Sequence, residues 1–181
     1  MKVYTKTGDD GTTGRFLGGR VSKADLLVEA SGDVDEAISV LAVVRAGCTD
    51  AELAEVVFDR QRELFVVGAD LATNPEHRDR LDPEVSEVTV AMIDRLESLI
   101  DRLVAERPLR PVFVVPGADA TSAGLDHART VVRRAERHVV AAEQTGHVVS
   151  VVALRYLNRL SDLLFVLARH AAEALEPASH D

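Results

Sequence analysis

Between Val149 and Ala171 the chain sets apolar side chains at three- and four-residue steps, at Val149, Val152, Ala153, Tyr156, Leu157, Leu160, Leu163, Leu164, Leu167 and Ala171. That spacing lines one face of an α-helix. A face about six turns long must be covered, and the rest of the chain offers the same period. It recurs at Val34, Ile38, Leu41, Ala42 and Val44; at Leu53, Val56, Val57, Leu64, Val67 and Leu71; at Val88, Met92, Ile93, Leu96, Leu99, Ile100 and Leu103; and at Leu125, Ala128, Val132, Ala135 and Val139. No stretch alternates apolar and polar residues long enough to build a sheet. The expected fold is therefore all-α, a five-helix bundle with ferritin-like up-and-down packing. It forms one domain, with a glycine-rich arm over residues 1–22, the bundle over 23–175 and a flexible tail over 176–181.

Composition narrows the function. The chain of 181 residues is long enough for one substantial core, and a hydrophobic fraction of 46% beside 28% charged residues describes a folded globule. No apolar run approaches bilayer length, and MKVYTK has neither the apolar core of a signal peptide nor an arginine-rich transit face. A cytoplasmic protein with no membrane partner is expected. Cys48 is the single cysteine, which excludes an internal disulfide and a thiolate metal cluster and suits a small buried residue. A formal net charge of −9 leaves no basic surplus for nucleic acid, so an anionic ligand would need a local basic cluster. The only lysines, Lys2, Lys6 and Lys23, lie within the first 23 residues, where a compact, mobile ammonium suits anion binding.

Three stretches could carry chemistry. In TKTGDDGTTG, Thr5 to Gly14, glycines let successive N–H groups converge on an anion while threonine hydroxyls and a lysine add donors. The stretch lacks the Lys-Ser/Thr ending of a Walker A loop, and it reads equally as a terminal arm or hairpin turn. In ARTVVRRAERH, Arg129, Arg133 and Glu136 share one helix face. Like charges at that spacing cost about 0.2–0.5 kcal/mol per pair, which a triphosphate would offset at roughly 1.5–3 kcal/mol per charge-assisted bond. A solvated face with Asp126–Arg129 and Arg133–Glu136 pairs is the commoner arrangement. In YLNRLSD, Asn158 and Asp162 stand one turn apart, able to hold a ligand's polar edge or simply to be solvated. The connection RPLRPVFVVPGADATSAG is more apolar than a bundle loop requires, as binding loops often are. A di-iron bundle would need Glu-x-x-His steps; none occurs, and no residue is assigned to a metal.

In order along the chain from Thr5 to about Arg169, TKTGDDGTT, RVSK, GDVDE, FVVPG with ARTVVRRAER, and YLNRLSDLLF together resemble the PduO-type ATP:cob(I)alamin adenosyltransferases. The resemblance implies a homotrimer that binds ATP and Mg2+ between neighbouring subunits. It also implies chemistry: a four-coordinate Co(II) corrinoid is reduced to Co(I), which attacks the 5′ carbon of ATP, expels triphosphate and yields adenosylcobalamin. By the same resemblance Thr5, Lys6, Thr7, Gly8, Asp9, Gly11 and Thr13 wrap the triphosphate, with charge from Lys6 and Lys23. Arg133, Glu136 and Asn158 contact the nucleotide, and Arg129 pairs with the aspartate matched by Asp35 on the next subunit. Phe113 occupies the lower face of the corrin, keeping water off cobalt's axial position. Arg129, Arg133, Asp35 and Phe113 would thus carry the catalytic roles. A reductase supplying the electron and a mutase receiving the cobalamin product are the implied protein partners.

This chain departs from the family pattern at Ala118, where a second glycine is usual, at Asp126, where a histidine is usual, and at Ile38, where an asparagine is usual. His127 is displaced by one position, and the tail EALEPASHD carries no aromatic. An ATP-gated carrier or sensor of adenosylcobalamin, with little turnover, would keep the same nucleotide residues.

Overall fold

The computed structural model describes residues 4–172 and 176–180; residues 1–3, which include Lys2, residues 173–175 and Asp181 lie outside the described residues. The described residues are mostly helical, with five α-helices and one short 3-10 helix among them. Each helix begins where a short polar side chain caps the first free N–H groups or where the chain leaves an extended residue. Asp25 accepts the Leu27 N–H at 2.9 Å and starts α1 (Leu26–Gly47). That is eight residues ahead of the apolar repeat beginning at Val34, because the first turns bury only Leu27 and Ala30 and contain Gly32. Asp50 accepts from Glu52 and Leu53 and starts α2 (Ala51–Ala72). The loop that follows winds into a 3-10 helix (Pro75–Arg80) capped by Asn74. Helix α3 (Val90–Glu106) follows, then α4 (Ala120–Gln144), opened by a reciprocal Asp119–Ser122 capping box, and α5 (Val151–Ala171), capped by Ser150.

Cross-helix contacts give the directions. Asp33, early in α1, meets Arg134 and His138, late in α4, while Val44 at the far end of α1 meets Gly124, so α1 and α4 run antiparallel. A Cβ on Gly124 would stand 2.6 Å from Val44 Cγ2; glycine is what lets these two helices approach. Helix α5 returns along α4, with Asn158 beside Glu136 and Arg169 beside Asp126. Helix α2 packs on α1, and α3 packs on α5. The shared core includes Leu41, Leu64, Ile93, Leu125, Leu160 and Leu164, all essentially excluded from solvent.

Tyr156 is wholly buried among them, and its hydroxyl donates to Glu63 Oε2 at 2.6 Å. Burial, first, and the Glu63 carboxylate push its phenol well above the ordinary tyrosine value, so it stays a neutral donor.

Two findings differ from the sequence reading. The arm contains a two-stranded antiparallel ribbon, β1 (Thr12–Gly14) and β2 (Arg20–Ser22), in the register Thr12↔Ser22, Thr13↔Val21 and Gly14↔Arg20. Strands of three residues are too short to show a two-residue period; the glycines at 18 and 19, both at positive φ, make the turn that pairs them. The tail, expected to be flexible, is docked over residues 176–179, where Val114 and Ala178 form an antiparallel bridge. No helix among the described residues is long and apolar enough to cross a membrane.

Candidate functional site

The residues singled out in the sequence fall into three clusters. The first is the arm. Lys6 adopts a positive φ of 62°, and turns closed by Asp9 N–H to Lys6 O and Gly11 N–H to Gly8 O curl residues 5–11 into a compact loop. Thr5 and Thr7 share a hydroxyl hydrogen bond at 2.8 Å, and the Lys23 N–H donates to Gly11 O at 2.9 Å. A Cβ on Gly8 would meet the Lys23 ammonium at 3.3 Å and the Thr12 carbonyl oxygen at 3.2 Å, so glycine allows the loop to close on that charge. Thr13 sits in β1 opposite Val21, and Asp9 and Gly11 are exposed on the loop. The cluster therefore gathers N–H groups, hydroxyls and ammonium groups on one exposed loop, which suits a polyanion.

Arg20 is a residue the sequence reading missed although it opens the quoted RVSK. Its Nε donates to Thr12 Oγ1 at 2.9 Å, its Nη2 reaches the Thr7 carbonyl, and Asp10 lies 3.6 Å away. The Thr12 hydroxyl and N–H, aided by the Arg20 charge, hold the Asp10 carboxyl below its ordinary value. Arg20 stands opposite Gly14 in the ribbon, a pairing visible only once the register is known. The arm is stitched to the bundle by Arg15 and His147 on Asp25, and by Phe16, whose N–H donates to Ala72 O and whose carbonyl accepts from Asn74 N–H.

The second cluster lies on α4 and α5. Asn158 Nδ2 donates to Glu136 Oε1 at 2.9 Å, so two predicted residues meet across the helix pair. Arg129 Nε donates to Asp126 Oδ1 at 3.1 Å, the pair expected from the sequence. Arg133 is exposed, and among the described residues its guanidinium makes no hydrogen bond or ion pair; Glu136, its expected partner, is taken by Asn158. Asp35 is exposed on α1, its carboxylate equally without a partner among the described residues. Arg129 and Arg133 edge a groove of about 570 Å³ that continues over Phe165 and Val166 of α5 toward α3. Arg159 crosses its floor, bound to Glu97 at 2.9 Å and Asp162 at 2.5 Å, which accounts for Asp162 without a ligand.

The third cluster is the 107–119 loop. Phe113 is 86% exposed at its crest. Asp126, at one of the departures noted above, is buried and bonded to both Arg129 and Arg169. Ile38 packs against the core while its carbonyl accepts from Gln61 Nε2 at 3.0 Å, and Ala118 is exposed beside Gly117.

Among the described residues, no hydrogen bond or ion pair joins the arm to Arg129 or Arg133 of α4. The arm is attached at the ends of α1, α2 and the α4–α5 connection, whereas Arg133 lies twelve residues before Thr145, about 18 Å along the helix axis.

The model of the cobalamin adenosyltransferase family matches residues 3–171. A corrinoid adenosyltransferase from Citrobacter freundii is 45% identical over 168 residues, covering 93% of each chain. One from Mycobacterium tuberculosis is 44% identical over 176 residues, covering 94% of this chain and 88% of its own. Among solved structures, a variant PduO-type ATP:corrinoid adenosyltransferase from Lactobacillus reuteri, complexed with cobalamin and ATP, superimposes with a TM-score of 0.87 at 29% identity, over 99% of this chain and 100% of that one. With the family model matched over residues 3–171 and relatives of this identity along nearly the whole chain, the chain belongs to the cobalamin adenosyltransferase family.

Proposed function

We propose that the chain transfers the 5′-deoxyadenosyl group of ATP to the Co(I) centre of a reduced corrinoid, releasing triphosphate. The observation that carries this is Arg133, without a partner among the described residues, beside the Glu136–Asn158 hydrogen bond: a free cation among those residues next to a fixed polar pair, on a fold shared with enzymes named for this reaction. Co(I) supplies both electrons of the new cobalt–carbon bond, the C5′–O bond breaks, and triphosphate leaves with that bond's electron pair, so cobalt ends as Co(III). The protein's part is to bind, orient and stabilise the leaving charge.

In this reading Thr5, Lys6, Thr7, Gly8, Asp9, Gly11, Thr13 and Lys23 receive the triphosphate, while Arg133, Glu136 and Asn158 receive the nucleoside end. Mg2+ would travel on the triphosphate oxygens, its usual company in nucleotide sites, since no group of three or more His, Cys, Asp or Glu suited to a metal occurs among the described residues. The assembly we propose is a homotrimer of up-and-down, ferritin-like bundles in which Arg129 of one copy pairs with Asp35 of the next. The axial separation of arm and arginines supports that arrangement. Phe113 would stand against the corrin and exclude water from cobalt. A cytoplasmic location, an electron-donating reductase and a mutase taking the product complete the proposal.

The test is an anaerobic absorbance assay with chemically reduced cob(I)alamin, ATP and Mg2+. Repeated turnover to a light-sensitive alkylcobalamin is the expected result. Stoichiometric conversion without turnover would instead establish the carrier or sensor.

A further inference from the structure

The segment at 176–179 lies beyond the stretch matched by the family, yet it is pinned to the bundle and to the Phe113 loop at once. Glu176 is 4% exposed. Its Oε1 accepts from Arg169 Nη2 at 3.0 Å, its Oε2 lies 2.6 Å from Arg169 Nε, and its carbonyl accepts from Arg110 Nη1 at 2.7 Å. Arg169 is held from the other side by buried Asp126, so the guanidinium is fixed between two carboxylates. Just beyond, the chain pairs with the loop: Val115 N–H donates to Pro177 O at 2.9 Å, and Ser179 N–H donates to Phe113 O at 2.8 Å.

Phe113 needs such support. At 86% exposure its ring has little packing to hold it, and its loop contains Pro108, Pro111 and Pro116, each lacking an N–H to share. The direction of the ring is therefore set through the main chain, and the partner of that main chain is the 177–179 segment. A strand two or three residues long does not stay in place on its own hydrogen bonds. The buried Arg169–Glu176 ion pair supplies the anchor, and loss of one member would leave the other charged and unpaired.

We propose that Glu176 is a positioning residue for Phe113. Anchored on Arg169, it holds the strand that braces the Phe113 carbonyl, so that the ring meets the corrin face in one fixed orientation. Glu176 itself touches no substrate. The inference rests on the reading of Phe113 given above. It also assigns Asp126 a use: with Glu176 it fixes the Arg169 side chain that the strand is anchored to.

The experiment compares Glu176→Gln, Ser179→Pro and Phe113→Ala in the full-length protein with ATP and cob(II)alamin, reading the four-coordinate Co(II) fraction by electron paramagnetic resonance, and KM for each substrate. Ser179→Pro removes the N–H that braces Phe113 and leaves the ion pair intact, so it remains informative if Glu176→Gln folds poorly. The expected result is a fall of about threefold or more in the four-coordinate fraction in all three variants, with KM for ATP within about twofold of the parent. Normal fractions in Glu176→Gln and Ser179→Pro beside a collapsed fraction in Phe113→Ala would overturn the role of Glu176 alone. A normal fraction in Phe113→Ala would overturn the reading of Phe113 and the inference with it.

Discussion

Asn158 donates its amide to Glu136 across the α4–α5 interface at 2.9 Å, so two residues 22 positions apart act as one polar unit beside Arg133. If they receive the nucleoside together, their substitutions should not add. Asn158→Ala and Glu136→Ala should each lower kcat/KM for ATP about tenfold or more, and the double variant should fall short of the product by a coupling of about 1–2 kcal/mol. A double-mutant cycle under steady-state conditions measures this; full additivity would separate the two residues.

Arg133 is exposed and unpaired among the described residues, so its removal costs the fold nothing that the structure displays. Arg133→Ala should leave the unfolding free energy measured in urea within about 0.5 kcal/mol of the parent while lowering ATP use about a hundredfold. An unchanged rate would remove Arg133 from the site.

Arg20 reaches Thr7 O and Thr12 Oγ1 and so shapes the arm from outside the core. Arg20→Ala should raise the dissociation constant for tripolyphosphate about tenfold by calorimetry, with the thermal midpoint within a few degrees of the parent. Equal affinities would show that the loop keeps its form without the guanidinium.

Asp25 joins the arm to the bundle. Burial pushes its carboxyl up, but the hydrogen bonds from His147 and the Leu27 N–H, with the charges of His147 and Arg15, outweigh it and leave the group below its ordinary value of 3.8. A depressed folded value contributes stability above the ordinary value, and that contribution is lost as pH falls through the folded one. Asp25→Asn keeps a helix cap and removes the titration. Urea unfolding at about pH 5 and about pH 3 should therefore show a smaller loss of stability on acidification in the variant than in the parent.

Gly124 lets α4 approach α1, and Val44 is β-branched and cannot swing away from a new methyl. Gly124→Ala should destabilise by about 1–3 kcal/mol in chemical denaturation, against the usual gain of replacing glycine in a helix.

Five helices were legible because each repeats its apolar residues over several turns, and Tyr156, Leu157, Leu160 and Leu164 do form the centre of the core. Less regular features escaped the pattern. The start of α1 depends on the cap at Asp25 and on two small buried side chains, and the ribbon depends on two turn glycines. Helical spacing correctly paired Asp126 with Arg129 but also paired Arg133 with Glu136, because spacing along one helix says nothing of Asn158 on another. The docking of Glu176 on Arg169 was equally hidden, since it exists only where the end of α5 meets the 107–119 loop.

The distance between the arm and Arg133 along the bundle has a genetic consequence. In the proposed trimer each ATP takes its phosphate loop from one copy and its arginine from a neighbour. A chain disabled at Lys23 and a chain disabled at Arg133 would each be inactive alone. Co-expressed in equal amounts and assembled at random, they would form mostly mixed trimers, each with one site of three that draws both parts from intact halves, or about a quarter of all sites. Two dead alleles would then make one partly working enzyme.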